Sequence, residues 1–139
     1  MKKLILAIVA VFFLSGISLG QTNVKIIDLT AIPQVIEPDP EGEIMKVEFK
    51  IKNANEAQTA YVLFGTSDEG SEVLMAQATF HQDGGNYFID YDGTSKQIVN
   101  YRAEILISLT DIQYSSYTHL TVYVTDINGT QTTKLKLAK

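Results

Sequence analysis

The sequence predicts an all-β fold, a single antiparallel β-sandwich of seven or eight strands, and three observations support this prediction. Apolar and polar side chains alternate along several segments, most regularly over Glu43–Lys52. Short turn sequences rich in Gly, Asn and Asp separate these segments at intervals of roughly 8–12 residues. No segment shows the three-to-four-residue apolar spacing of a convincing helix.

The end of the chain predicts a β-hairpin with a type I′ turn. Asn128-Gly129 separates two alternating runs, His119–Asp126 and residues 131–138. This dipeptide suits the two left-handed positions of such a turn. Counting outward from the turn gives the register. The expected pairs are Leu120 with Leu137, Val122 with Leu135 and Val124 with Thr133 on one face, and Thr121 with Lys136 and Tyr123 with Lys134 on the other.

Six earlier segments are predicted strands because they alternate or are continuously apolar. They are residues 24–32, Glu43–Lys52, residues 60–65, 73–82, 87–91 and 103–109. A helix is the alternative for residues 73–82, whose Leu, Met, Ala and Gln favour one, but the strands on either side favour a strand. The remaining segments are predicted to be connections: a proline-rich connector at 33–40, a polar loop at 66–71, a corner at 111–116, and turns at 53–56, 83–86 and 92–95.

Residues 1–20 predict a secretory signal peptide that is removed before Gln21. Two lysines precede the apolar residues 4–14, and Ser18 and Gly20 suit the −3 and −1 positions of a cleavage site. Eleven apolar residues are too few for a membrane span, which needs about 20. No cysteine follows to carry a lipid anchor. The expected product is a domain of residues 21–139, exported to the periplasm or outside the cell, with no membrane span.

Charge and cysteine content narrow the classes of function. The chain has 11 basic and 16 acidic residues, and since Lys2 and Lys3 leave with the leader, the mature net charge is −7. An acidic domain of this kind is not expected to bind nucleic acid or anionic lipid. Cysteine is absent, so the domain has no disulfide and depends on its core alone. Export without cysteine favours a bacterial envelope.

The last third of the chain carries a family resemblance. Residues 122–130, V-Y-V-T-D-I-N-G-T, resemble the penultimate strand and turn of bacterial immunoglobulin-like and fibronectin type III-like modules, in which V-x-V-x-D-x-x-G-x recurs. The preceding residues, from Leu109 through Tyr114 to Tyr117, resemble the approach to a tyrosine corner. A bulge is needed before Leu120 for Tyr117 to face the core with it. The resemblance implies an immunoglobulin-like sandwich and no specific activity.

We predict no enzymatic activity, cofactor or metal ion. No serine stands in a nucleophile motif, and cysteine is absent. His81 and His119 are expected on solvent-facing sides of their strands, the alternative being a metal-binding pair. Asp90 and Asp92 lie in a D-x-D-G sequence, but the glutamate that completes a calcium loop is missing. Turn formation is therefore the preferred interpretation of these two aspartates and a Ca²⁺ site the alternative. Asp126 is expected to cap its own turn.

Exposed aromatic and hydroxyl side chains are the candidate partner-binding residues, because aromatic rings anchor both protein and sugar contacts. Tyr123 is expected to point outward beside Thr121 and Thr125. Tyr101 and Tyr114 are candidates in loops, and Asp90 and Asp92 complete the set.

These patterns lead to one expected function and one alternative. We expect a non-enzymatic module that binds a protein or glycan partner at the bacterial envelope or outside the cell. The alternative is an assembly subunit of an envelope complex, in which an edge strand such as residues 24–32 pairs with another chain.

Overall fold

The computed structural model describes residues 21–34, 43–65, 72–109 and 117–139, and it confirms the all-β sandwich with two antiparallel sheets. The strands in these ranges are β1 (Lys25–Gln34), β2 (Glu43–Lys52), β3 (Ala57–Gly65), β4 (Glu72–Asp83), β5 (Asn86–Tyr91), β6 (Thr94–Gln97), β7 (Arg102–Leu109), β8 (His119–Asp126) and β9 (Leu135–Ala138). A 3₁₀ turn, Ala54–Glu56, joins β2 to β3. The first sheet has the order β1-β2-β7 and the second the order β6-β5-β4-β3-β8-β9.

Several predicted segments lie outside the described residues. These are the signal peptide, most of the proline-rich connector, the polar loop at 66–71 and the corner at 111–116 that contains Tyr114. Within the described ranges, no helix is long and apolar enough to cross a membrane.

The core lies between the two sheets and is built by the alternation seen in the sequence. In β2 the predicted inward set is fully buried, and the charged residues between its members face outward. Its members are Met45, Val47, Phe49 and Ile51. The matching inward sets of β7 and β8 are buried as predicted, and they are Ala103, Ile105 and Ile107, and Leu120, Val122 and Val124. Burying one such large apolar side chain contributes about 1.5–3 kcal/mol.

The first strand is longer than predicted, because it continues through Pro33 to Gln34. Proline is tolerated there because β1 pairs only with β2 within its sheet and therefore lies at an edge. A bulge interrupts this strand. The register moves from Ile27 opposite Lys50 to Thr30 opposite Glu48, and Asp28, within the bulge, has a left-handed φ of 57°.

The segment for which a helix was the alternative is strand β4. It lies between β3 and β5 and pairs with both. Each edge of β4 forms hydrogen bonds with a neighbouring strand, and this pairing outweighs the weak helical preference of its residues.

The structure contains one strand that the sequence analysis missed. Residues 92–95 are predicted to be a turn, but Thr94 already pairs with Tyr91, and β6 begins there. Asp92 and Gly93 alone form the turn, with φ values of 46° and 74°. Two consecutive left-handed residues between paired strands are typical of a type I′ hairpin. The described ranges therefore hold nine strands instead of seven or eight.

The register predicted for the C-terminal hairpin is confirmed away from its turn. Leu120 pairs with Leu137, Thr121 with Lys136 and Val122 with Leu135. Closer to the turn the prediction is wrong by one residue, because Val124 exchanges hydrogen bonds with Thr132 and not with Thr133. The Thr132 hydroxyl accepts from the Val124 N–H at 3.0 Å, in the role usually taken by a backbone carbonyl. Thr132 is consequently buried.

The predicted type I′ turn at Asn128-Gly129 is also wrong. Of these two residues only Gly129 has a left-handed φ, of 80°. Asp126 donates its N–H to the Thr130 carbonyl and accepts the Gly129 N–H on its own carbonyl, both at 2.9 Å. The loop therefore has three residues, Ile127 to Gly129. The buried Asp126 carboxylate favours this loop by accepting the N–H groups of Asn128 and Thr130 at 2.9 Å each. The expected capping role of Asp126 is confirmed.

The Asp126 contacts predict a specific pH dependence of stability. A hydrogen bond from Thr22, followed by those from the Thr130 and Asn128 backbones, lowers the pKa of Asp126 below its usual 3.8. Because the folded pKa is depressed, the ionised carboxylate stabilises the fold above the usual pKa, and this contribution is lost as the pH falls through the folded value. Asp126→Asn is expected to lower the free energy of unfolding by about 1 kcal/mol at pH 7. The difference in the free energy of unfolding between wild type and Asp126→Asn should narrow as the pH falls below about 4.

Urea denaturation at pH 7 and pH 3 measures this gap. Asp92→Asn is the matched control, since Asp92 is exposed and lies in a turn position that asparagine tolerates. An equal gap at both pH values for Asp126→Asn would contradict the prediction.

Candidate functional site

A cleft of about 480 Å³ opens where the turn between β6 and β7 meets the 3₁₀ turn after β2. Its lining residues are all uncharged, and they are Ile51, Asn53, Ala54, Asn55, Tyr87, Ile98, Asn100 and Tyr101. The volume lies in the range of small-ligand pockets, about 300–1,000 Å³. Of the residues predicted to bind a partner, Tyr101 lies in this cleft.

Tyr101 occupies a backbone position that the fold does not favour for it. Asn100 and Tyr101 have φ values of 53° and 65°, and the Arg102 N–H donates to the Val99 carbonyl at 3.0 Å. These are the features of a type I′ turn, whose second central position prefers glycine. A left-handed conformation costs an ordinary residue about 1–2 kcal/mol. The Tyr101 carbonyl is held by the Ile51 N–H at 2.7 Å, which fixes the turn against β2.

The Tyr101 side chain projects from the strained turn toward solvent. It is 66% exposed, more than any other large apolar or aromatic side chain among the described residues. Tyr87 also lines the cleft and is half-buried, and its carbonyl accepts the Ile98 N–H at 2.8 Å. The cleft is therefore lined by one exposed and one half-buried tyrosine.

Three asparagine amides complete the cleft. Asn53 donates to the Asn23 carbonyl at 2.6 Å and is thereby fixed in place. Asn55 and Asn100 are exposed, and their amides form no hydrogen bond with the part of the chain that the structure describes. An unpaired amide offers both a donor and an acceptor to a ligand.

Backbone strain is concentrated in this cleft. Five non-glycine residues in the described ranges have a positive φ, and three of them, Asn53, Asn100 and Tyr101, line the cleft. Such conformations cost free energy, and they cluster at sites where function requires them. The strain marks this end of the sandwich as the candidate functional site.

Tyr123 lies on the outward face of the six-stranded sheet, as predicted. Its ring stacks on Tyr61 with centroids 4.8 Å apart and an interplanar angle of 21°. The ammonium of Lys134, the residue before β9, lies 5.6 Å from the Tyr123 centroid. Partial burial raises the pKa of the Tyr123 hydroxyl. This stacked pair forms a second aromatic surface, separate from the cleft.

The two threonines predicted beside Tyr123 differ in accessibility. Thr121 is fully buried although it shares the outward face, and its hydroxyl donates to the Glu72 carboxylate at 3.1 Å. Thr125 is half-buried, and its hydroxyl donates to the Thr59 carbonyl at 3.5 Å. Of the three residues, Tyr123 and Thr125 are therefore partly accessible and Thr121 is not.

The aspartates of the D-x-D-G sequence have separate roles. Asp90 binds the Nδ1 atom of His81, whose ring stacks on Phe88 with centroids 4.9 Å apart. Asp92 lies in the type I′ turn and is exposed. No group of three or more His, Cys, Asp or Glu side chains capable of holding a metal ion occurs among residues 21–34, 43–65, 72–109 and 117–139.

The two histidines lie far apart on the outward face of the second sheet. His119 pairs with Gly65, which pairs with Glu72 at the start of β4. His81 lies nine residues further along β4, or about 30 Å at 3.3 Å per residue. This separation rules out the alternative in which they form a metal-binding pair.

The predicted site residues do not meet in one place. They fall in three groups: Tyr101 in the cleft, the β8 residues Thr121, Tyr123 and Thr125 on the sheet face, and Asp90 and Asp92 at the turn after β5. Sequence reasoning missed the residues that accompany Tyr101. They are Asn53, Asn55, Tyr87 and Asn100, of which the first two were predicted only to turn the chain.

Comparison of the chain with protein-family models, curated proteins and solved structures gave no significant match.

Proposed function

We propose that this chain is an exported, non-enzymatic, immunoglobulin-like binding module that holds a protein or glycan partner in the cleft around Tyr101. The observation that carries the proposal is the exposed tyrosine at a left-handed turn position. Glycine would satisfy that position without strain. The Tyr101 ring occupies this position at a cost in folding free energy, and we attribute its presence to a contact with a partner.

The strand order supports an immunoglobulin-like arrangement. In that fold the first, second and fifth main strands share one sheet, and the third, sixth and seventh share the other. Here β1-β2-β7 form one sheet, and β3-β8-β9 are neighbours in the other. Tyr117, just before β8, is buried and stacks on Phe64 at 4.7 Å. It precedes the regular strand, so it reaches the core without sharing the alternation of Leu120. A buried tyrosine at the start of this strand suits a tyrosine corner.

Export is supported by the sequence of residues 1–20. The absence of cysteine favours a bacterial envelope over a eukaryotic secretory route. The net charge of −7 disfavours binding of the mature domain to nucleic acid or anionic lipid. We therefore place the module in the periplasm or outside a bacterial cell.

The alternative role, assembly through an edge strand, has less support. Strand β1 is an edge of its sheet, which favours the addition of another strand. The bulge at Asp28 breaks the regular ladder near the middle of β1. Bulges of this kind are a common protection of edge strands against pairing with another chain. The cleft is therefore the preferred binding site.

Tyr101→Gly tests the proposal by separating folding from binding. Glycine relieves the left-handed strain, so the free energy of unfolding is expected to rise by about 1 kcal/mol. Loss of the ring is expected to weaken partner binding about tenfold or more. Thermal unfolding measures the first effect, and co-sedimentation of the purified protein with isolated bacterial envelopes measures the second.

Tyr123→Ala is the matched control, since it removes a tyrosine from the other aromatic surface. Envelope binding that survives Tyr101→Gly and is lost in Tyr123→Ala would overturn the assignment of the cleft. Binding that neither change affects would also overturn it.

A further inference from the structure

We infer that the ligand of the Tyr101 cleft is an uncharged carbohydrate, a short stretch of a neutral polysaccharide. The inference rests on the proposed function and narrows its partner to one chemical class. It depends on the charge of the lining, on the unpaired amides and on the arrangement of the two tyrosine rings.

The residues that line the cleft carry no charge. None of its eight lining residues is acidic or basic, although the chain carries 27 charged residues. A second groove, on the outward face of the three-stranded sheet, shows the contrast. Six of its nine lining residues are charged, and they are Lys46, Glu48, Lys50, Lys96, Arg102 and Glu104. The cleft shares Asn100 with this groove but offers an ionic ligand no counter-charge among its own lining residues, so its lining suits a neutral molecule.

The polar groups of the cleft suit hydroxyl groups. Each amide of Asn55 and Asn100 presents two N–H donors and a carbonyl acceptor. A sugar hydroxyl both donates and accepts, so two adjacent hydroxyls match one amide. Neither amide is hydrogen-bonded within the described ranges, so a ligand displaces only water from them. Asn53 is tied to Asn23 and positions the wall that carries Asn55.

The tyrosines supply the apolar half of the contact. One face of a pyranose ring presents C–H bonds, which pack on the electron-rich face of an aromatic ring. Tyr101 is 66% exposed, and its backbone is held by Ile51, so little freedom of the turn is lost on binding. Tyr87 is half-buried and lines the same cleft, whose volume of about 480 Å³ suits a short saccharide.

Affinity electrophoresis tests the inference with named probes. The purified protein is run in native gels containing a neutral β-glucan, galactomannan or arabinoxylan, and in gels containing alginate or polygalacturonate as acidic probes. We expect at least one neutral polysaccharide to retard the protein, with an affinity unchanged by 0.5 M NaCl because no charge pair is screened.

Variants assign the retardation to the cleft. Asn100→Gly keeps the left-handed turn and removes one amide, and it is expected to weaken binding about fivefold. Tyr101→Gly should abolish retardation, and Tyr123→Ala should leave it unchanged. Retardation by acidic polysaccharides alone, or retardation that Asn100→Gly and Tyr101→Gly leave intact, would overturn the inference.

Envelope co-sedimentation separates failure of this inference from failure of the proposed function. Periodate destroys sugar diols, so Tyr101-dependent envelope binding should disappear after periodate treatment and persist in 0.5 M NaCl. Tyr101-dependent binding that survives periodate and is lost after protease treatment of the envelopes would identify a protein partner, which overturns the carbohydrate inference and leaves the binding module intact. Envelope binding that does not depend on Tyr101 would overturn the proposed function itself.

Discussion

Phe49→Ala is expected to lower the free energy of unfolding by about 3–5 kcal/mol. Phe49 is the largest fully buried side chain in the described ranges and is 0% exposed. In β2 it lies opposite the small Ala103 on one side and the bulge of β1 on the other. Neither neighbour can extend to fill the volume that the ring leaves, so a cavity remains. Domains of this size have a total stability of about 5–15 kcal/mol, so the variant should be partly unfolded near 37 °C.

Equilibrium denaturation in urea measures this loss. Phe49→Leu is the matched control, since leucine keeps most of the apolar volume and is expected to cost less than about 2 kcal/mol. A loss below about 1 kcal/mol for Phe49→Ala would show that the bulge collapses onto the site, which contradicts the expected cavity.

Gly65→Ala is expected to destabilise the fold by about 1–3 kcal/mol through a single collision. A Cβ atom at residue 65 would lie 2.0 Å from the His119 ring. That ring lies between Glu72, whose Oε1 is 3.5 Å from Nε2, and Thr118, whose hydroxyl is 3.1 Å from Nδ1. The alanine methyl group requires the ring to move, and both contacts are then lost.

A double variant identifies the collision as the cause. In Gly65→Ala/His119→Ala the ring is absent, so the second change should recover most of the stability lost by the first. The double-mutant cycle in urea is then expected to be strongly non-additive, with a coupling of about 1–2 kcal/mol. Additive losses would show that strain elsewhere in β3 causes the effect.

The faces of the strands could be predicted from the sequence because alternation alone determines them. Val47 and Ile105 are buried, and the charged residues between the apolar ones of β2 face outward, as period-two patterning requires. The exposure of a residue on an outward face depends on its distant neighbours. Thr121 has the predicted orientation, yet it is fully buried and its hydroxyl donates to Glu72, 49 residues earlier in the chain.

Turn types were harder to predict because side chains compete with local preference. Asn128-Gly129 has the composition of a type I′ turn, but the Asp126 carboxylate favours a three-residue loop. The type I′ features occur instead at Asp92-Gly93 and at Asn100-Tyr101, and in the second pair the tyrosine gives no indication of a left-handed residue. The unusual residue at that position is also the main pointer to the cleft.

The cleft itself could be predicted only in part. Tyr101 was a candidate because it is a tyrosine in a loop, but Asn53, Asn55 and Tyr87 come from separate segments. The contact that unites them, the hydrogen bond from the Ile51 N–H to the Tyr101 carbonyl, joins residues 50 positions apart. No local pattern encodes such a contact.

The two central ladders of the sandwich determine when the chain can fold. Met45 pairs with Ile107, and Ala60 pairs with Val124, and throughout both ladders more than 50 residues separate the partners. Folds dominated by such distant pairings form in milliseconds to seconds, far more slowly than helical bundles. Neither ladder can be completed until β7 and β8, which end at Leu109 and Asp126, have been synthesised. The sandwich can therefore assemble only after more than three quarters of the chain has been made.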